Sequence, residues 1–249
     1  MRKRNRKKKE IVPASSSLGK QKIAEMVQEM RDKGELPKTH IAEDREAVTM
    51  VRITPVCWGV CFDEVVFAKW SKHILSSVRP MPWDDVVVSS STYLPEARNL
   101  IHNQYLERSK AQYLFMLDSD VIPPPEIVEN LLKHMQRRKD IRMVGGWYRI
   151  KDDPYNPVVY HSDGFDEKGI AQYRKYGNNE VGKGLEKVDA AGAGIWLMHR
   201  SVAEAIGESP YNLNEGGEDL LLCRKVQEAG YSLWIDWRLA CAHAGVAVA

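Results

Sequence analysis

The residues of this chain best suited to chemistry are two pairs of carboxylates and a late histidine. Asp118 and Asp120 flank Ser119 where the apolar run Y-L-F-M-L ends. Carboxylates one residue apart at a strand end offer hard oxygen ligands to Mn2+ or Mg2+, ions commonly held by one or two carboxylates plus a substrate's phosphates. The same three residues suit a turn and a cap for the helix beginning near Pro125, so the pair alone leaves both uses open. Glu218 and Asp219 follow Gly216 and Gly217 and open a helical stretch. In that first turn carboxylates complement the helix dipole, or one of them, fixed on a rigid element, acts as a general base. From Ala190 to Gly194 every residue is alanine or glycine, which lets a ligand, or a neighbouring helix, approach the backbone closely. His243, in C-A-H-A-G, is either structural or the imidazole that completes a carboxylate site.

Strands and helices must carry these groups to one place. V-T-M-V-R-I-T-P-V, D-V-V-V-S-S-S, Q-Y-L-F-M-L and I-R-M-V-G-G-W-Y read as strands. Between them, F-D-E-V-V-F-A-K-W-S-K-H-I-L, P-E-A-R-N-L-I-H-N-Q-Y-L-E-R-S and P-E-I-V-E-N-L-L-K-H-M read as helices, with Pro95 and Pro125 at the starts of the last two. Near-continuous apolar strands alternating with helices argue for an α/β fold with a mostly parallel central sheet covered on both faces. Ligands of such sheets bind beyond the carboxyl ends of the strands, where Asp118 and Asp120 fall. Residues 149–187 lose the periodicity and read as long loops or a small antiparallel excursion.

The chain has 249 residues, 43% of them apolar, enough for one large core. We divide it into a basic tail and linker (1–18), an amphipathic helix and linker (19–48) and one domain (49–249). The first ten residues carry seven basic groups and one acid, so with a whole-chain charge of +2 the remainder is net −4. The Arg2–Lys9 run reads as a solvated tail, with an anionic partner as its other use. No aromatic residues interleave the charges as base stacking requires. Ile23, Met26, Val27 and Met30 fall at helical spacing, a face for the domain or for a second copy of the chain. Cys57, Cys61, Cys223 and Cys241 do not form a disulfide framework or a strong zinc pattern. No apolar run approaches about 18 residues, and no apolar stretch follows the basic start, so the expectation is a cytoplasmic protein without a transmembrane segment.

The order D-x-D, small-residue strand, E-D helix and late histidine resembles the motif set of GT-A-fold glycosyltransferases, which move a sugar from a nucleotide-sugar donor. The resemblance covers roughly residues 49–245 and is family-two-like. E-A-R-N-L-I and L-D-S-D-V are similar to segments of short bacterial or phage-type members and of the Anp1-like mannosyltransferases. It implies that Asp120 ligates Mn2+ or Mg2+, that Asp118 touches the ribose or the metal beside Ser119, and that His243 completes the metal set. It further implies Asp219 as the base of an inverting transfer, with Glu218 beside the acceptor, and Gly192, Ala193 and Gly194 as the floor under the donor sugar. Arg98 becomes a candidate for the donor's diphosphate, its guanidinium suiting phosphate geometry, and Thr54 and Pro55 a candidate nucleobase seat. C-W-G-V-C-F-D-E departs from the usual small, polar opening there. Trp147 and Tyr148, with Tyr155 and Tyr160, offer flat faces to an acceptor sugar, or are core aromatics. The acceptor, whether carbohydrate, glycolipid, protein or nucleic acid, and the choice of UDP- or GDP-sugar are open. A retaining transferase with similar motifs and a site that binds donor without turnover remain alternatives. A sugar nucleotidylyltransferase lacks its glycine-rich basic loop here, and a nucleic-acid-binding role for the tail sits poorly with an acidic body.

Overall fold

The computed structural model describes residues 54–62, 68–90, 93–150, 156–167, 169–213 and 217–244. Its strands are β1 (Cys57–Cys61), β2 (Asp85–Ser89), β3 (Tyr113–Asp118), β4 (Val121–Ile122), β5 (Met143–Trp147), β6 (Val159–Phe165), β7 (Ala171–Lys175), β8 (Leu185–Val188), β9 (Ala190–Ala191), β10 (Ile195–His199), β11 (Leu233–Ala240) and β12 (Ala242–His243). The helices are α1 (Ala68–Ser77), α2 (Leu94–Arg108), α3 (Ile127–Arg137), α4 (Arg200–Ile206) and α5 (Glu218–Glu228). The basic run Arg2–Lys9, the Ile23–Met30 helix and residues 48–53 of the strand expected over 48–56 lie outside the described residues.

Seven strands form the main sheet in the order β2-β1-β3-β10-β5-β11-β8. β1 is parallel to both β2 and β3, and β11 is parallel to β5. β10 runs against β3 and β5, and β8 against β11. The expected mostly parallel α/β sheet is therefore present, with an antiparallel strand between its halves. Strands β1 and β5 are buried along their whole length, because helices cover both faces. One buried cluster includes Ile101, Tyr105, Met116 and Trp196, and the other Phe115, Leu117, Ile127 and Leu131.

β1 is C-W-G-V-C, downstream of the strand the sequence pattern suggests. Full burial on both faces removes the alternation that marks a half-buried strand, and its glycine has a packing reason. A Cβ at Gly59 would meet Ile101 of α2 and, at 2.8 Å, the Met116 sulfur. α2 starts with proline in its first turn, and Arg200 closes its far end by donating to the carbonyls of Ser109 (2.6 Å) and Ala111 (3.1 Å).

Two small sheets finish the carboxyl end of the main one. β7, β6 and β9 form the antiparallel excursion, and β12 pairs antiparallel with β4, setting His243 opposite Val121. Among the described residues, no helix is long and apolar enough to cross a membrane.

Candidate active site

Register fixes the D-S-D segment at the carboxyl edge of the sheet. Asp118 is the last residue of β3 and pairs with Cys61, the last of β1. Its amide donates to the Gly194 carbonyl at 3.0 Å, and the Ser119 amide to the Cys61 carbonyl at 3.0 Å. Ser119 is buried.

Arg98, one turn into α2, points into this edge and is 2% exposed. Its Nη2 donates to Asp118 Oδ2 at 2.8 Å, and its Nη1 to Glu218 Oε1 at 2.9 Å and Asp219 Oδ1 at 2.6 Å. A buried guanidinium requires such partners, since an isolated buried charge is very costly. The planar fork lets one side chain serve carboxylates on two elements. Burial alone would lower the Arg98 pKa, but Asp118 and Asp219 outweigh it and raise it well above the ordinary value. One cation does not balance so many carboxylates. Burial lifts the Asp118 carboxyl above its ordinary 3.8, against the pull of Arg98 and with repulsion from Asp120 and Asp219. Burial and repulsion from Asp219 lift Glu218 above 4.5, again against Arg98. The edge is thus electron-rich, and Asp118 Oδ1 is buried there without a hydrogen-bond donor among the described residues.

Asp120 and His243 form the second half. His243 Nε2 stands 3.4 Å from Asp120 Oδ2, and Nδ1 lies 2.8 Å from the Arg149 carbonyl. That carbonyl only accepts, so Nδ1 carries a proton, and in the neutral imidazole Nε2 presents a lone pair toward the carboxylate. Two lone-pair groups so placed suit a shared cation, and a backbone carbonyl orienting the far ring nitrogen is the usual support of a metal-bound histidine. The sequence distance between them is spanned by β12, because the Ala244 amide donates to the Asp120 carbonyl at 2.7 Å. The described residues contain no group of three or more His, Cys, Asp and Glu side chains able to hold a metal. A hard cation here would have Asp120 and His243 as protein ligands, with phosphates and water completing the shell.

The small-residue run has a physical explanation in Tyr148. The Tyr148 hydroxyl accepts from the Gly194 amide at 3.0 Å, and a Cβ at Gly194 would come within 2.7 Å of it. The ring packs edge-on against His243, with centroids 5.0 Å apart. Tyr148 therefore lies beneath Gly192, Ala193 and Gly194 and beside a candidate ligand, and is buried. Trp147 is buried too, and its indole N–H donates to the Trp237 carbonyl at 2.9 Å. Neither ring presents a free face for stacking on a sugar. Tyr155 lies outside the described residues. Tyr160 on β6 is half-buried, and burial together with the nearby Asp219 charge pushes its hydroxyl up to about 12.

Thr54 and Pro55 are not brought to the site. They precede β1, at the amino end of the sheet, while Asp118 is level with the carboxyl end of that strand. Displacing the first strand toward Val48 in the sequence reading carried these residues to the wrong edge. Tyr211, which the sequence reading passed over, is buried beside Arg98, its ring centroid 5.8 Å from the guanidinium carbon. Asn99 fixes it by donating to its carbonyl at 2.8 Å and accepting from its amide at 2.9 Å. The E-A-R-N segment thus supplies both Arg98 and the clamp for its neighbour.

Residues 102–207 match the family model of glycosyl transferase family 2. That span holds the D-S-D segment and the Ala190–Gly194 run and ends before Glu218, Asp219 and His243. No curated protein matches the chain. Among solved structures, A197 from STIV aligns at 14% identity with a TM-score of 0.53, over 78% of this chain and 83% of that one. A structure of GalNAc-T7 with UDP, GalNAc and Mn2+ aligns at 10% identity with a TM-score of 0.53, over 77% of this chain and 43% of that one. At these identities the likeness is one of fold. Residues 102–207 are thus similar to glycosyl transferase family 2, and the fold is like that of the GT-A-type structure of GalNAc-T7.

Proposed function

We propose that the protein transfers a sugar from a UDP- or GDP-sugar to an acceptor hydroxyl, using a divalent cation, Mn2+ or Mg2+, held by Asp120 and His243, with inversion at the anomeric carbon. The observation that carries this reading is the Asp120–His243 pair, with His243 Nε2 3.4 Å from Asp120 Oδ2 and Nδ1 turned to the Arg149 carbonyl at 2.8 Å. The Mn2+ and UDP of the GalNAc-T7 structure add support by analogy of fold.

When bound, the cation supplies Lewis-acid stabilisation of the departing diphosphate. Asp118 faces the ribose or the metal beside Ser119, with Arg98 holding its other side. The glycine floor lies under the donor sugar, made rigid by Tyr148. Asp219, at 27% exposed the more open of the helix pair, accepts the acceptor proton as the hydroxyl oxygen attacks and the bond from the anomeric carbon to the diphosphate breaks. General-base help of this kind contributes about 10²–10⁴-fold. Glu218 lies beside the acceptor. We place the nucleobase at Phe62, beyond the carboxyl end of β1, and Tyr160 on the acceptor side.

Thermal melting against UDP- and GDP-sugars with Mn2+, Mg2+ or EDTA tests this, because a ligand of the native state raises the melting temperature. A shift that needs both metal and Asp120 is expected; no shift with any donor and metal would contradict the reading. Anomeric NMR of the product decides the stereochemistry, and a retained configuration would remove Asp219 from the base role.

A further inference from the structure

The single guanidinium of Arg98 is shared between two elements that do different work. Nη2 serves Asp118 on β3, while Nη1 serves Glu218 and Asp219 on α5. The start of α5 is weakly built in other respects. Gly217 before it sits at φ +123, and the first turn has no side-chain cap. The Leu221 amide, donating to the Gly217 carbonyl at 3.1 Å, marks the first bond of the helix. Arg98 therefore ties that turn to the sheet.

We propose that Arg98 is a positioning residue that couples the donor side of the site to the acceptor side. Its attraction is divided between Asp118 and the α5 pair, so loss of negative charge at Asp118 releases the guanidinium toward Glu218 and Asp219. The first turn of α5 then tightens, and Asp219 is held more firmly. A cation or donor arriving at Asp118 has this effect, as does an uncharged side chain there. The assignment of donor and acceptor sides rests on the proposed function; the coupling itself rests on the guanidinium and its three partners. A buried ion cluster with a purely structural role behaves differently, since neutralising Asp118 would loosen it.

Amide hydrogen exchange at Leu221, measured in EDTA on the full-length protein, separates the two. Asp118→Asn preserves the side-chain shape and removes the charge. It is expected to slow Leu221 exchange by about tenfold, the size of one charge-assisted hydrogen bond, with Leu131 in α3 as the reference for global opening. Asp120→Asn removes a nearby charge that does not touch Arg98 and is expected to leave Leu221 unchanged. Unchanged or faster exchange in Asp118→Asn, or equal slowing in both variants, overturns the proposal. Mn2+ added to the wild-type protein is expected to slow Leu221 as Asp118→Asn does. If Asp118→Asn slows it and Mn2+ does not, the coupling stands and a cation on Asp120 and His243 does not reach Asp118.

Discussion

Arg98 donates to Asp219 at 2.6 Å, although 121 positions separate them in the chain. The same side chain holds Asp118, so the end of β3 and the start of α5 meet on one buried cation. Removing that cation leaves buried carboxylates uncompensated. Arg98→Met is expected to cost about 3–5 kcal/mol of stability, read from urea unfolding midpoints at constant slope. A loss below about 1 kcal/mol would mean that water already screens the cluster.

Tyr148 and Gly194 are expected to couple energetically. Tyr148→Phe leaves the buried Gly194 amide without its acceptor, at about 1–3 kcal/mol, and Gly194→Ala forces a Cβ against the hydroxyl, at about 1–3 kcal/mol. Because the phenylalanine no longer carries the obstructing oxygen, the double variant should lose less than the sum of the two. Additive losses in chemical denaturation would contradict the contact.

Asp236 gives a pH dependence away from the active site. Burial alone would raise its pKa, but hydrogen bonds from Arg238 (2.8 and 2.7 Å) and His134 (2.7 Å) prevail and lower it from 3.8 to about 2. A carboxyl with a depressed folded-state pKa contributes stability that is complete above 3.8 and is lost as the pH falls through about 2. Asp236→Asn is expected to lower stability by about 1.5–3 kcal/mol at neutral pH and to differ little from wild type at pH 2. Unfolding curves at the two pH values check this, and an equal loss at both would assign the effect to packing.

His243→Gln is expected to weaken Mn2+ binding by at least about tenfold, the lower end of what even an outer-shell partner of a metal is worth. Electron paramagnetic resonance of free Mn2+ gives the constant directly. The fold should survive, since His243 lies at the end of the chain's return to β4 rather than in either core cluster.

Much of this arrangement is legible before folding, for physical reasons. β3 ends on Asp118 because an apolar run stops at a turn-forming pair, and proline marks the first turn of α2. Both are local signals. β1 is illegible because a strand buried on both faces, containing Trp58 and Gly59, has no alternation to read, and the shifted strand displaced Thr54 and Pro55 to the wrong edge. Arg98 looks like a surface residue or a phosphate ligand in a helix's first turn; its burial depends on three carboxylates, two of them about 120 positions downstream. Trp147 and Tyr148 have the composition of a sugar platform, and only the positions of Trp237, Gly194 and His243 reveal that they are enclosed. The glycine run leaves room for a ligand or for close packing, and the structure fills part of that room with Tyr148.

The central claim is that Asp120 and His243 hold a cation for a nucleotide-sugar's diphosphate. Calorimetric titration of UDP and GDP into the protein, with Mn2+ or with EDTA, tests it most directly when wild type is compared with Asp120→Ala. The expected result is that one nucleotide binds wild type only with Mn2+ and loses at least about tenfold in affinity, about 1.4 kcal/mol, in the variant. Equal binding in EDTA, or equal binding by Asp120→Ala, would contradict it.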